Sequence, residues 1–199
     1  RTGKLVFTSF HEMCPMRFRT SHLSVATVPM LLHSPHKKTN ENAQQQQQQQ
    51  LKKINQACFP VAYGDSFYRD MAKKSDENLC KFAYYSGLAI GAICTRVEPI
   101  PDDPNDRSRL YVMTLGVLAA YRNHGIGSKM VESIMEYYES EKDGKLSTVD
   151  EIMVHTQTSN VDAMKFYMDR FGFEKGELVE NYYKRIDPPH CYILRKKLR

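Results

Sequence analysis

The apolar and polar positions fall into short segments whose period switches between that of a helix and that of a strand. Leu51, Ile54, Ala57 and Cys58 share one helical stripe that ends at Pro60. The glutamine run at 44–50 leads straight into it, and because glutamine is a fair helix former the run is expected to carry that helix outward into solvent. Residues 80–85 and 88–97 read as strands flanking a two-residue turn, Ser86-Gly87, with Gly91 suggesting a bulge. After a loop at 99–106 rich in Pro and Asp, residues 109–117 make a third strand in which Tyr111, Met113 and Leu115 share a face. From Gly127 the period turns helical, with Met130, Ile134 and Tyr138 stacked, and Asp143-Gly144 ends that helix just past Lys142. Residues 151–157 alternate as a strand, with Ile152, Val154 and Thr156 on one face and Met153, His155 and Gln157 on the other. Asn160 caps a helix through Arg170, with Ala163, Phe166 and Tyr167 inside and Gly172 as its terminator. Two strands follow, near 177–183 and 191–198. This order predicts an α/β protein, a mixed central β-sheet with helices on both faces.

At 199 residues the chain supports one domain with a real core, taken as 51–199, preceded by the polyglutamine run at 44–50 and an atypical or disordered extension at 1–43. The extension bears Arg and little acid, but its apolar residues keep no helical period, so a plain extension is expected rather than a transit peptide. Its one strand-like piece is Leu5 to Phe10. The formal charge of +5 is concentrated there: residues 44–199 hold 22 basic and 21 acidic side chains, and no direct nucleic-acid binding is expected. No apolar run approaches the ~18 residues of a spanning helix, so no membrane contact is expected either. Five cysteines, odd in number and without a C-x-x-C pair, suggest neither a disulfide framework nor a metal site. They fit a reducing compartment, the cytoplasm and by extension the nucleus.

The most informative motif is Arg122-Asn123-His124-Gly125-Ile126-Gly127, followed by Ser128, between a predicted strand and the start of a predicted helix. Two glycines two apart let backbone N–H groups approach an anion, to which the helix end adds partial positive charge and Arg122 a full one. That pattern suits a pyrophosphate, and its spacing is that of neither a dinucleotide nor an NTP site. A second block runs from Asn160 through Ala163, Phe166 and Tyr167 to Gly172-Phe173. Together the two resemble the Gcn5-related N-acetyltransferase (GNAT) superfamily, with R/Q-x-x-G-x-G/A after one strand and N-x-x-A-x-x-F/L-Y-x-x-x-G-F after a later one. Phe59-Pro60-Val61-Ala62-Tyr63, the strand from Arg109 to Gly116, Val154-His155 and the segment from Asn181 to Ile186 narrow the resemblance to N-alpha-acetyltransferases of the NatE type.

The resemblance implies acetyl transfer from acetyl-CoA to the free α-amine of a protein N-terminus, Met followed by an apolar residue being preferred, by direct attack in a ternary complex. It implies a GNAT fold in which the strands of Tyr111 and His155 splay apart around the pantetheine arm. Leu115 and Val117 would then pair with the arm through their backbones. Arg122, Asn123, His124, Gly125, Ile126, Gly127 and Ser128 would hold the pyrophosphate, and Asn160 and Tyr167 would reach the thioester end. Phe59, Pro60, Val61 and Met113 would line the slot for the first residue, while Tyr63, Tyr182 and Tyr183 grip the peptide. Nascent-peptide N-termini, the NatA complex and the ribosome are the partners implied.

An α-amine of pKa ~7.7–8.0 is mostly ammonium at neutral pH and needs a base, a task that suits a neutral histidine of ordinary pKa ~6.5. His155 is that candidate, with Tyr111 across the splay to orient a water and Tyr167 to protonate the departing thiolate. The same scaffold serves lysine acetyltransferases, and a CoA-binding accessory subunit of a ribosome-associated complex is the reading from another class. Departures from the pattern are Ala62 in place of Ser, Ala120 in place of Pro, longer loops at 99–106 and 139–148, and a first strand that is missing or replaced by Leu5 to Phe10.

Overall fold

The computed structural model describes residues 28–29, 39–74 and 76–199, so the segment from Leu5 to Phe10 lies outside the described residues. Seven strands form one sheet in the order β1-β2-β3-β4-β5-β7-β6: β1 (Val28–Pro29), β2 (Cys80–Tyr85), β3 (Leu88–Pro99), β4 (Ser108–Val117), β5 (Val149–Gln157), β6 (Glu174–Val179) and β7 (Cys191–Lys197). Only β4 and β5 pair parallel. Helices α1 (Thr39–Cys58) and α2 (Asp65–Lys74) cover one face, and α3 (Ile126–Glu141) and α4 (Val161–Phe171) the other. The mixed sheet with helices on both faces is the one that the pattern predicts. The edge beside β2 is taken by Val28–Pro29, pairing Val28 with Phe82.

Two buried clusters sandwich the sheet. Ile93, Leu110, Val112, Met130, Ile134, Tyr138 and Ile152 pack under α3 and α4, while Leu51, Ile54, Tyr68, Met71, Phe82 and Cys94 pack under α1 and α2. The α1 stripe differs from the expected one, because Gln47 and Asn55 are buried on it and Ala57 is exposed. The glutamine run is therefore not simply directed into solvent: Gln47 sits against the domain, and Gln50 accepts a hydrogen bond from the Tyr84 hydroxyl at 3.1 Å. The pattern also missed α2, whose Tyr68 and Met71 are buried within what reads as a polar stretch. No helix among the described residues is long and apolar enough to cross a membrane.

The β2–β3 turn has positive φ at both Ser86 (47°) and Gly87 (79°), the two-residue geometry that matches strand twist. Near the expected bulge the register steps from Ala83↔Gly91 to Tyr84↔Ala89, leaving Ile90 as the extra residue. A second bulge matters more. Cys94 pairs with Thr114 but Thr95 with Val112, so Met113 is extra and the side-chain phase of β4 reverses there. Tyr111, Met113 and Leu115 therefore do not share one face: Met113 packs with the α1 and α2 cluster and Leu115 with that under α3 and α4. Pairing of β4 with β5 runs from Ser108↔Val149 to Val112↔Val154 and stops at this bulge. Beyond it the two central strands part.

Candidate active site

The split between β4 and β5 opens into a cavity of about 870 Å³. Tyr111, His155 and Tyr167 line it, as do Phe59, Pro60, Val61, Tyr63, Met113, Tyr182 and Tyr183, so every residue expected to act on the amine or to hold the peptide converges there. Leu115 and Asn160 join them. Val117 and residues 122–128 are outside this lining, at the far ends of β4 and the split.

His155 follows the last β4–β5 pair, and its ring meets Tyr111 edge-on at 5.3 Å rather than across an open gap. His155 Nδ1 and the Tyr111 hydroxyl share a hydrogen bond at 3.2 Å, and the Tyr111 and Tyr182 hydroxyls share another at 3.2 Å. Tyr182 also stacks on His155, with ring centroids 4.5 Å apart and planes 11° from parallel. Burial lowers the His155 pKa from its ordinary value; Glu98 and Glu177 raise it and Arg109 and Arg195 lower it. These four belong to an alternating ladder across five strands, Arg96–Glu98–Arg109–Glu151–Arg195–Glu177, so the charges nearly offset one another and desolvation leads. His155 is thus kept neutral at neutral pH. Burial and the neighbouring Tyr182 push the Tyr111 hydroxyl far above its usual range, so Tyr111 stays protonated.

One side of the cavity, that of the expected peptide slot, is built from the end of α1. Phe59 N closes the last helical turn by donating to Asn55 O at 3.0 Å, and Pro60 directly after it ends the helix. A Cβ on Gly116 would lie 3.0 Å from Cys58 Cβ and 3.3 Å from the Phe59 ring, so the close approach that seats Phe59 beside the split needs a glycine. Phe59 meets Tyr63 edge-on at 6.1 Å, and Tyr63 leans on Phe67 at 4.6 Å. Burial raises the Tyr63 hydroxyl to about 12. Opposite them, β6 ends at Val179, so Tyr182 and Tyr183 belong to the following loop rather than to the strand predicted at 177–183. Their rings meet edge-on at 4.9 Å.

Beyond the cavity, the end of β4 and the turn into α3 present the residues expected to hold a pyrophosphate-bearing arm. Leu118 N donates to Ile90 O on β3, and alternate residues of an antiparallel ladder turn their polar groups to opposite sides, so Leu115 and Val117 face the split. The Val117 carbonyl already accepts from Arg122 Nε at 2.9 Å, which narrows its part to its amide and fixes Arg122 beside it. Asn123 (φ 62°) and Gly125 (φ 75°) bend the chain into α3, and Gly125 caps that helix without any side-chain hydrogen bond. The first-turn amides of Ile126, Gly127 and Ser128 therefore have no capping side chain to satisfy them. His124 turns back, its Nδ1 sharing a 2.6 Å hydrogen bond with Arg122 O. Asn160 caps α4 as predicted, its Oδ1 accepting from Ala163 N at 3.1 Å, which leaves its amide nitrogen for the cavity. Tyr167 is buried between Phe166 and Phe173 yet lines the cavity, and burial raises its hydroxyl far above the usual range.

Phe67 and Arg96 line the cavity without belonging to any motif, and Lys184, Arg185 and Ile186 line it from within the block at 181–186 without having been assigned a role. Phe67 braces Tyr63 from α2, and the spacing of Phe67, Tyr68 and Met71 was its available signal. Arg96 lies over the Tyr111 ring, 5.4 Å from its centroid, while Lys184, Arg185 and Ile186 border the mouth.

A model of the acetyltransferase (GNAT) family matches residues 48–173. N-alpha-acetyltransferase 50 of Danio rerio is 47% identical over 150 residues, which cover 75% of this chain and 82% of that protein. The probable N-acetyltransferase san of Drosophila melanogaster is 45% identical over 150 residues, 75% of each. Among solved structures, Arabidopsis thaliana Naa50 in complex with the bisubstrate analogue CoA-Ac-MVNAL aligns with a TM-score of 0.63 at 38% identity, over 76% of this chain and 92% of that one.

Proposed function

The chain belongs to the acetyltransferase (GNAT) family, and from that premise we propose that it acetylates the free α-amine of protein N-termini that begin with Met and an apolar residue. The observation that carries the reading is the His155–Tyr111–Tyr182 cluster at the mouth of the split, joined to an aromatic slot on one side and an uncapped helix end on the other. Support for the substrate comes from the Arabidopsis relative, whose analogue links CoA through acetyl to a peptide opening Met-Val. When bound, acetyl-CoA supplies an acetyl group activated as a thioester. Leu115, Val117, Arg122 and the first amides of α3 hold its arm and phosphates. Phe59, Pro60, Val61 and Met113 seat the first side chain and exclude water, and Tyr63, Tyr182 and Tyr183 hold the peptide so that its nitrogen faces the split. His155, neutral and hydrogen-bonded to Tyr111, takes the proton that the amine gives up in direct attack, while Tyr167 keeps a proton for the departing sulfur. The reading extends to nascent chains beside the NatA complex on the ribosome, in the cytoplasm or nucleus, and the free thiols of Cys58, Cys80, Cys94 and Cys191 accord with a reducing setting.

Mass spectrometry of paired peptides tests it. A Met-Leu peptide with a free α-amine is expected to gain one acetyl group, and the same peptide blocked at that amine but carrying lysine is expected to react far more slowly. Faster acetylation of the blocked peptide would transfer the protein to the lysine acetyltransferases.

The pH profile follows from the His155 environment. Burial disfavours the charged imidazolium, so the folded protein must reach a pH below the ordinary ~6.5 before His155 protonates and stops acting as base. The limb of kcat/KM that disappears in a His155 variant is therefore expected below pH ~6.5, separate from the α-amine limb near ~7.7–8.0. A His155-dependent limb above that value would contradict this account of the site.

A further inference from the structure

The mouth of the cavity is charged in one sense only. Arg96, Lys184 and Arg185 line it, and no Asp or Glu does. Arg96 is already engaged: its Nε and Nη2 both donate to Glu98 Oε2, at 3.2 and 3.0 Å, and it lies over Tyr111. Lys184 and Arg185 are exposed, and among the described residues neither forms an ion pair or a side-chain hydrogen bond. The loop that presents them is tied down, with Tyr183 N donating to Pro189 O at 2.8 Å, Asn181 N to His190 Nδ1 at 3.2 Å and Gln157 Nε2 to Pro188 O at 2.8 Å. Its two carboxylates, Glu180 and Asp187, lie outside the cavity lining.

We propose that Lys184 and Arg185 select among N-termini by charge, favouring peptides with Asp or Glu at the third to fifth positions and disfavouring those with Lys or Arg there. The inference rests on the N-terminal acetyltransferase reading and deepens it. Tyr182 stacks on His155, which fixes where the α-amine reacts, and the two cations follow it by two and three residues on the same loop. An extended peptide rises about 3.3 Å per residue, so its third to fifth residues lie about 7–13 Å from the first, over the mouth rather than inside the slot. The first two residues are read by apolar contact and the next by field. Solvent-exposed charges of this kind act on encounter and on KM more than on the chemical step, and salt screens them over about 8–10 Å.

The test compares three peptides identical except at positions three to five, which carry Glu, Gln or Lys after Met-Leu. At about 50 mM salt the wild-type protein is expected to show kcat/KM in the order Glu, Gln, Lys, with about tenfold between the extremes, shrinking at about 500 mM salt. In the double variant Lys184→Glu/Arg185→Glu the order is expected to invert. The ratio between peptides is internal to each protein, so a general loss of activity in the variant leaves the readout intact. Equal kcat/KM for the three peptides, or an order that survives charge reversal, overturns the proposal while acetylation of the Gln peptide keeps the broader reading standing. Absence of any acetylation of the Gln peptide overturns both.

Discussion

Replacing His155 with Ala is expected to lower kcat by about 10²–10⁴ while affinity for CoA, measured by titration calorimetry, stays that of the wild type. The two halves of this result come from the separation seen in the fold. His155 sits where β4 and β5 stop pairing, in contact with Tyr111 and Tyr182, whereas the groove proposed for phosphates lies at the turn at 122–125 and the first turn of α3. The Tyr111→Phe variant removes the hydroxyl that lies between His155 Nδ1 and Tyr182 but leaves the base in place, so a smaller loss is expected. Because the two residues act as one unit, the double variant should be no slower than His155→Ala alone. Additive losses would mean that Tyr111 serves the reaction independently of His155. A His155→Ala protein with undiminished turnover would reduce this histidine to a packing residue, whereas lost turnover with unchanged biological function would return the chain to the accessory-subunit reading.

How far the fold was legible follows from which forces set each element. Helices α3 and α4 are dictated locally, by stacked apolar positions and by caps such as Asn160 and Gly172, and they form where the pattern places them. The Ser86-Gly87 hairpin is likewise a property of two residues. The bulge at Met113 is not local: no glycine marks it, and the extra residue exists only relative to the partner strand, so simple alternation assigned Leu115 to the wrong face. The same bulge is what ends β4–β5 pairing and opens the site. Burial of Gln47 and the contact of Gln50 with Tyr84 depend on the distant strand β2, which a glutamine run cannot announce. At the site, motif-bearing residues converge, yet His155 and Tyr111 stand 44 residues apart, and only the resemblance links them before the sheet does. Phe67 lines the cavity through position alone and was invisible for that reason, while Lys184 lay within the quoted block from Asn181 to Ile186 but only the fold places it on the cavity lining.

Tyr167→Phe is expected to cost about 10–100-fold in the acetyl-transfer step, with the melting temperature and the Kd for acetyl-CoA little changed. The ring of Tyr167 is held by Phe166 at 5.0 Å and Phe173 at 5.1 Å, contacts that phenylalanine keeps, so packing is not what the substitution removes. It removes a hydroxyl that faces the cavity and that burial holds in its protonated form at every working pH. A donor of that kind has nothing to offer the neutral thioester comparable with what it offers sulfur as negative charge builds there, since hydrogen bonds to charged groups are worth about 1.5–3 kcal/mol against about 1 for neutral ones. The deficit should therefore appear in single-turnover rate and kcat, not in substrate affinity. Tyr167→Ala provides the contrast, because losing a buried aromatic ring opens a cavity and costs about 3–5 kcal/mol of stability on top of the rate. If the Phe variant turns over like the wild type while the Ala variant unfolds early, Tyr167 is a core aromatic whose hydroxyl is idle, and the proton for the departing sulfur must come from solvent.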